Sequence, residues 1–230
     1  MNSIRDNHQR SKNAILLVII VLVLQLVSII PTIMQMVLVN KIFSGEQYTV
    51  EEVQLNGVLA LIVNILVLVA TITSGVFFIL WFRRAYYNLE QKTFLTSYSN
   101  GWAAGAWFVP ILNLFRPYQI MNELFTITPK VLKKNDIKTD FELEKSTIAT
   151  WWTLWIITLV VGNVSSRMVL NAGSAKSFNI ASIFDIISCL LFIPLSIITI
   201  KVIVNYTKYA LYIKEVGNER HFDAFVDEHI

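Results

Sequence analysis

Residues 101–124 read GWAAGAWFVPILNLFRPYQIMNEL and lie between two pairs of long hydrophobic runs. The segment holds two of the chain's six Trp residues, two of its five Pro residues and a single Arg. It is too apolar for a solvated loop, and Pro110 and Pro117 divide it into pieces too short to cross a bilayer. We therefore expect a re-entrant or interfacial element over residues 101–128, with an amphipathic helix that Pro117 opens and Pro129 ends.

The composition around this segment is that of a membrane protein. Only 15% of the residues are charged and 55% are apolar, whereas an ordinary soluble domain carries roughly 25% charged residues. The apolar runs show no strict alternation, so we expect helices and not barrel strands. The first run exceeds the apolar core of a signal peptide, and we interpret it as a retained span. The predicted fold is all-α, a single four-helix transmembrane domain over residues 1–216 and a tail over 217–230, with spans at 14–39, 57–82, 147–170 and 180–204.

Lys and Arg residues are distributed unevenly among the connecting segments. Residues 83–146 contain nine, whereas the loops at 40–56 and 171–179 contain one each. The positive-inside rule then predicts that both termini and the segment 83–146 lie in the cytoplasm.

Polar side chains also occur at informative positions near the cytoplasmic end of span two. Arg84 and Asn88 lie four residues apart, on one face of a helix that continues beyond the membrane. We expect Asn113, Arg116 and Glu123 to converge on that face. This arrangement is a structural latch, a recognition site for an anionic headgroup or small ligand, or exposed interface charge. The candidate latch and interaction residues are Arg84, Asn88, Trp102, Trp107, Pro110, Asn113, Arg116 and Glu123.

Asp185 is the only carboxylate within a predicted span. A charge at mid-span costs roughly 2.5–3.5 kcal/mol on insertion scales, so this residue should have a partner. Arg167 lies at a similar predicted depth in span three, and we expect an intramembrane Arg167–Asp185 pair. Its role is a structural clasp or part of an ion or proton path, unless Asp185 lies exposed at the edge of a shorter span.

Two sequence blocks resemble a known family. WFRRAYYNL at 81–89 and GWAAGAWFVPILNLFRPY at 101–118 resemble a bacterial membrane family catalogued as domain of unknown function 4328. The resemblance implies a four-span protein of the bacterial inner membrane with both blocks on the inner side. It implies no catalytic residue, because none is assigned in that family.

The sequence predicts a non-enzymatic membrane protein. It lacks the zinc-protease, P-loop and nucleophile-elbow motifs, and its single Cys and three terminal His residues suggest no metal site and no cofactor. We expect interaction with lipid or protein through the cytoplasmic segment at 101–124. The expected partners are the bilayer and an anionic lipid or a membrane protein, and not nucleic acid; the oligomeric state is left open. The alternative is a small transporter or channel that uses Asp185 and polar residues of span two such as Asn64.

Overall fold

A computed structural model describes residues 4–139 and 144–216. Within these residues the chain forms helices and no strand, which confirms the predicted all-α fold. A single 3₁₀ turn, Leu112–Leu114, precedes α4. The predicted tail at 217–230 lies outside the described residues. The helices are α1 (His8–Ser44), α2 (Val50–Glu90), α3 (Asn100–Gly105), α4 (Arg116–Lys134), α5 (Lys145–Leu170) and α6 (Ala175–Tyr212).

Four of these helices, α1, α2, α5 and α6, are long and apolar enough to cross a membrane. The protein is therefore a multi-pass membrane protein. Helix α2 has 41 residues and is about 62 Å long at 1.5 Å per residue, about twice the thickness of the hydrocarbon core. The expected continuation of span two past Phe82 is observed, because α2 runs on to Glu90.

Helix α4 differs from the expectation at its end. We expected Pro129 to terminate it, and this is wrong: the helix continues to Lys134 with Pro129 inside. A proline in a helix interior removes one backbone hydrogen bond. Here Val131 and Leu132, beyond the proline, are both about 1% exposed. The burial of these side chains offsets the lost bond and keeps the last turns helical.

The described chain divides into two compact units. Of the described residues, unit 1 comprises 4–15, 75–139, 144–152 and 198–216. Its core consists of large aromatic side chains. Trp81, Phe82 and Tyr86 of α2 are fully buried, as is Tyr206 of α6. The ring of Trp81 meets that of Tyr206 edge-on at 6.3 Å between centroids. These aromatic residues of α2 and α6 thus form a packed protein core.

Unit 2 comprises Leu16–Ser74 and Thr153–Ile197 and is dominated by aliphatic side chains. Many large residues on its helices remain exposed, among them Leu61 and Leu68, as expected for helix faces that lie against lipid. Its interhelical contacts use small polar groups. Ser165 donates to the carbonyl of Ala181, and Ser28 lies 3.5 Å from the sulfur of Cys189. Small residues of this kind allow membrane helices to approach closely.

Candidate functional site

The N-terminal segment 4–7 is fastened to the end of α2 by specific hydrogen bonds. The side chain of Asn88 accepts from the backbone N–H of Arg5 at 3.0 Å and donates to the carbonyl of Arg5 at 2.8 Å. One helical turn earlier, Arg84 donates to the carbonyl of Asp6 at 3.0 Å. Near the same level, Asn7 donates to the carbonyl of Trp81 at 3.0 Å. The segment therefore runs antiparallel to α2 over two turns.

This arrangement corrects the predicted partner of the Arg84–Asn88 face. We expected the face to receive the segment 101–128, whereas it holds the N-terminal segment. Residues 4–7 are not helical, so their backbone N–H and C=O groups need partners outside a helix. The amide of Asn88 offers one donor and one acceptor side by side, as a peptide unit does. It can therefore satisfy both backbone groups of Arg5.

Trp107 anchors the 101–115 segment within the aromatic core of unit 1. Its ring lies edge-on to Phe78 at 5.8 Å and to Trp152 at 6.1 Å between centroids. Trp152 also donates its indole N–H to the carbonyl of Leu114 at 3.0 Å. Trp152 of α5 thus contacts both ends of the stretch 107–114.

Glu123 organises a different part of unit 1. Its carboxylate accepts a 2.5 Å hydrogen bond from the hydroxyl of Tyr86 and a 3.2 Å bond from the backbone N–H of Ser97. The Tyr86 oxygen in turn accepts from the backbone N–H of Tyr98 at 3.2 Å. Bonds to an ionised carboxylate are short and strong, so Glu123 fixes the turn that follows α2. Neither Tyr86 nor Tyr98 was predicted to belong to this site, although Tyr86 lies within the 81–89 block.

Arg116 and Asn113 are held separately from these groups. The Arg116 guanidinium lies 4.6 Å from the centroid of the Tyr98 ring and is half-buried. Tyr98 donates its hydroxyl hydrogen to Gln119 at 3.2 Å. Asn113 donates its backbone N–H to the carbonyl of Val109. The expected convergence of five polar groups is therefore wrong. Arg84 and Asn88 bind the N-terminal segment, Glu123 and Arg116 contact the 93–99 turn, and Asn113 lies in the stretch 108–115.

A buried lysine links the end of α2 to the last described residues. Lys92 is 7% exposed and donates to the carbonyl of Val216. Burial lowers the pKa of this ammonium group, because a low-dielectric environment disfavours its charged form.

The exposed tip, residues 108–115, has an apolar surface on a constrained backbone. Phe108 and Ile111 are each 74% exposed, whereas Trp107 beside them is packed. Ile111 has φ 70° and ψ −50°, and the N–H of Leu112 donates to the carbonyl of Pro110 at 2.8 Å. This is a γ-turn of the rare positive-φ form, which strains a β-branched residue. Strained backbone of this kind persists only where the surroundings hold it in place.

In unit 2, the expected Arg167–Asp185 pair is not formed within the described residues. Asp185 is half-buried and accepts a hydrogen bond from the hydroxyl of Thr32 at 3.2 Å, whereas Arg167 is exposed. Ser165 faces α6, and Arg167, two residues on, is rotated by about 200° around α5. The rotation of Arg167 around α5 therefore excludes the predicted contact.

Comparison with known proteins identifies one family. The family described as "Domain of unknown function (DUF4328)" matches residues 45–208. The match includes the sequence blocks at 81–89 and 101–118, and thus the end of α2, the exposed tip and the start of α4. No curated protein and no solved structure matches the chain. The chain therefore belongs to the DUF4328 family.

Proposed function

We propose that the protein is a non-enzymatic membrane protein that acts by binding through its exposed tip, with the cytoplasmic leaflet of a bacterial inner membrane as the primary contact. The observation that carries this proposal is the contrast within the tip. Phe108 and Ile111 are among its most exposed side chains, while Trp107 and Trp152 fix its base. An exposed apolar surface on a rigidly packed segment is typical of a membrane or protein contact.

The surroundings of the tip favour the bilayer as the contact. Trp102, Leu114 and Phe115 extend the exposed apolar surface, and Trp and Phe side chains prefer the region between headgroups and acyl chains. The basic residues of 83–146 support the assignment of this segment and both termini to the cytoplasmic side. The non-enzymatic part of the proposal rests on the sequence, which carries none of the common catalytic motifs.

Depth measurement with a single fluorophore tests the proposal. The chain has one cysteine, Cys189, so a Cys189→Ser background carrying Phe108→Cys accepts one environment-sensitive NBD label. In nanodiscs, we expect blue-shifted emission that spin-labelled lipids quench. A matched label at Lys133→Cys, an exposed position on α4, should show the emission of a water-exposed fluorophore. Equal, water-like emission from both positions would reject insertion of the tip.

A second measurement asks whether the tip also recruits a protein partner. We expect Phe108→Ser/Ile111→Ser to reduce the amount of partner protein that native mass spectrometry detects bound to the chain after extraction from native membranes. Phe94→Ser/Leu95→Ser removes two comparably exposed apolar side chains and should leave retention unchanged. If both pairs behave like the unmodified chain, the tip recruits no protein partner.

The alternative function, a transporter or channel, depends on Asp185. Its hydrogen bond to Thr32 gives the carboxylate a local partner. Asn64, the polar group of α2 that the alternative would use, is exposed, and the neighbouring Val63 is buried instead. These two observations favour binding over transport. A flux through sealed vesicles that Asp185→Asn abolishes would reverse this preference.

A further inference from the structure

Four arginine side chains surround one small cavity in unit 1. Arg5 and Arg10 come from the N-terminal end of the chain, and Arg83 and Arg84 come from α2. The cavity has a volume of about 130 Å³. We call it the arginine groove. This cluster was not predicted from the sequence, because Arg5 and Arg10 join Arg83 and Arg84 only through the fastening of residues 4–7.

Three of the four guanidinium groups are held in position by contacts that leave donors available. Arg10 donates one nitrogen to the carbonyl of Leu80 at 2.8 Å, and Arg84 donates one to the carbonyl of Asp6 at 3.0 Å. Arg5 lies 4.5 Å from the centroid of the Tyr87 ring. A guanidinium has five N–H donors. Each side chain is therefore oriented, while most of its donors have no hydrogen-bond partner among residues 4–139 and 144–216 and can bind a ligand.

Among the described residues, those that line the arginine groove include no carboxylate. The two nearest acidic residues in the sequence are engaged elsewhere. The side chain of Asp6 lies 3.8 Å from the ammonium group of Lys214, and Glu90 accepts hydrogen bonds from Asn100 at 2.8 and 3.3 Å. Four like charges around one cavity repel one another. An anion in the groove would relieve this repulsion.

We propose that the arginine groove binds a phosphate group, carried either by the headgroup of an anionic lipid or by a small soluble phosphate compound. Phosphate oxygens match the planar donor fork of arginine, which can form two parallel charge-assisted hydrogen bonds. The cavity is large enough for a few water molecules at roughly 30 Å³ each, and hence for a single phosphate group. Leu80, at the end of the predicted span, borders the cavity, which favours the lipid headgroup as the source.

Two arms of one experiment distinguish these sources. In the first, the protein is placed in phosphatidylcholine nanodiscs with and without phosphatidylglycerol, and native mass spectrometry counts retained phosphatidylglycerol. In the second, inorganic phosphate and pyrophosphate are titrated by calorimetry into the protein in phosphatidylcholine alone. The groove variant is Arg10→Gln/Arg83→Gln. The matched control, Lys130→Gln/Lys133→Gln, removes the same charge from exposed positions of α4.

Whichever probe the unmodified chain binds, we expect the groove variant to bind it at least about tenfold more weakly, because the variant loses charge-assisted hydrogen bonds. The control pair should bind like the unmodified chain. Retention of phosphatidylglycerol identifies a lipid headgroup, and binding of phosphate or pyrophosphate alone identifies a soluble ligand. The proposal is overturned if neither probe prefers the unmodified chain, or if the control pair loses as much affinity as the groove variant.

A second variant distinguishes loss of the phosphate site from a folding defect. Arg10→Lys/Arg83→Lys keeps both charges but removes the planar forks, and we expect it to bind several-fold more weakly than the unmodified chain. Unreduced affinity in this variant would overturn the assignment of a fork-built phosphate site. Neither groove variant should change the NBD signal from residue 108. The failure of the groove and the failure of the tip are therefore distinguishable.

Discussion

The two units differ in what their large side chains contact. In unit 1, Trp81 and Tyr206 are at most 1% exposed, whereas in unit 2 Leu61 and Leu68 are about 60% exposed. Unit 1 is thus packed like the core of a soluble protein. In unit 2, helix faces that a soluble protein would bury can remain exposed to lipid, because lipid chains are as apolar as leucine. Hydrophobic burial within the protein therefore stabilises unit 1 far more than unit 2.

Their hydrogen bonds differ in the same sense. In unit 1, side chains bond to backbone groups far away in sequence, as Asn88 does with Arg5 and Trp152 with Leu114. In unit 2, many polar side chains bond within their own helix, as Asn163 does with Leu159. The long-range bonds fix how non-helical segments lie in unit 1. The local bonds mainly satisfy the polar groups of helices that are already formed.

The largest expected effect is the loss of a core aromatic from unit 1. Trp81→Ala should lower the free energy of unfolding by roughly 3–5 kcal/mol, because it leaves a cavity among buried rings. Leu68→Ala in unit 2 should lower it by less than about 0.5 kcal/mol, as for an exposed position. Unfolding by sodium dodecyl sulfate in mixed micelles, followed by far-UV circular dichroism, measures both. Similar losses for the two variants would remove the distinction between the units.

The next effect concerns the fastening of the N-terminal segment. Asn88→Ala should cost roughly 1–3 kcal/mol, because both backbone groups of Arg5 lose their partner. Amide hydrogen exchange at residues 5–7 should accelerate. The matched variant in unit 2, Asn163→Ala, removes only a bond within its own helix and should cost less than about 0.5 kcal/mol. Unchanged exchange in Asn88→Ala would show that other contacts hold the segment.

A smaller effect separates Asp185 from Arg167. Asp185→Ala should cost about 1 kcal/mol through the lost bond to Thr32, whereas Arg167→Ala should change stability by less than about 0.5 kcal/mol. The double variant should be additive, because distant groups without shared partners do not couple. A coupling energy above about 0.5 kcal/mol in this cycle would restore the ion pair predicted from sequence.

The smallest effect contrasts two glycines. A Cβ atom on Gly105 would meet nothing within 4 Å, whereas one on Gly162 of unit 2 would lie 3.4 Å from the hydroxyl of Ser188. Gly105→Ala should stabilise the protein by about 0.4–1 kcal/mol through reduced freedom of the unfolded chain. Gly162→Ala should gain less, since its new methyl group would lie at the near limit of van der Waals contact with the hydroxyl of Ser188 and leave it little room to move. A larger gain at Gly162 would indicate that the helices of unit 2 are loosely packed there.

Local patterns were sufficient to predict the helices but not their partners. Hydropathy predicted the four long helices, and the absence of Gly and Pro in 83–92 indicated that α2 continues past the membrane. The amphipathic pattern after Pro117 predicted α4, but it could not show that buried residues beyond Pro129 keep the helix intact. Burial depends on tertiary contacts that no local pattern contains.

The candidate site shows the same limit more strongly. The Arg84–Asn88 face was identified as a docking face, yet its partner, residues 4–7, has no hydrophobic period that would mark it. Asp185 and Arg167 were placed at the same depth, but sequence spacing does not fix which way each helix faces its neighbours. The positive φ of Ile111 was not predictable either, because isoleucine is one of the residues least suited to it.

The packing of Tyr206 in unit 1 also has a consequence for biosynthesis. Its ring lies against those of Trp81 and Phe125. One side of the aromatic core of unit 1 therefore stays uncovered until α6 has been synthesised. A ribosome needs on the order of ten seconds to proceed from Trp81 to Tyr206. During that interval the nascent chain carries uncovered aromatic rings beside the translocation machinery. A protein truncated just before Tyr206 would retain all four predicted spans and still be a substrate for quality-control proteases, because the core of unit 1 would stay open.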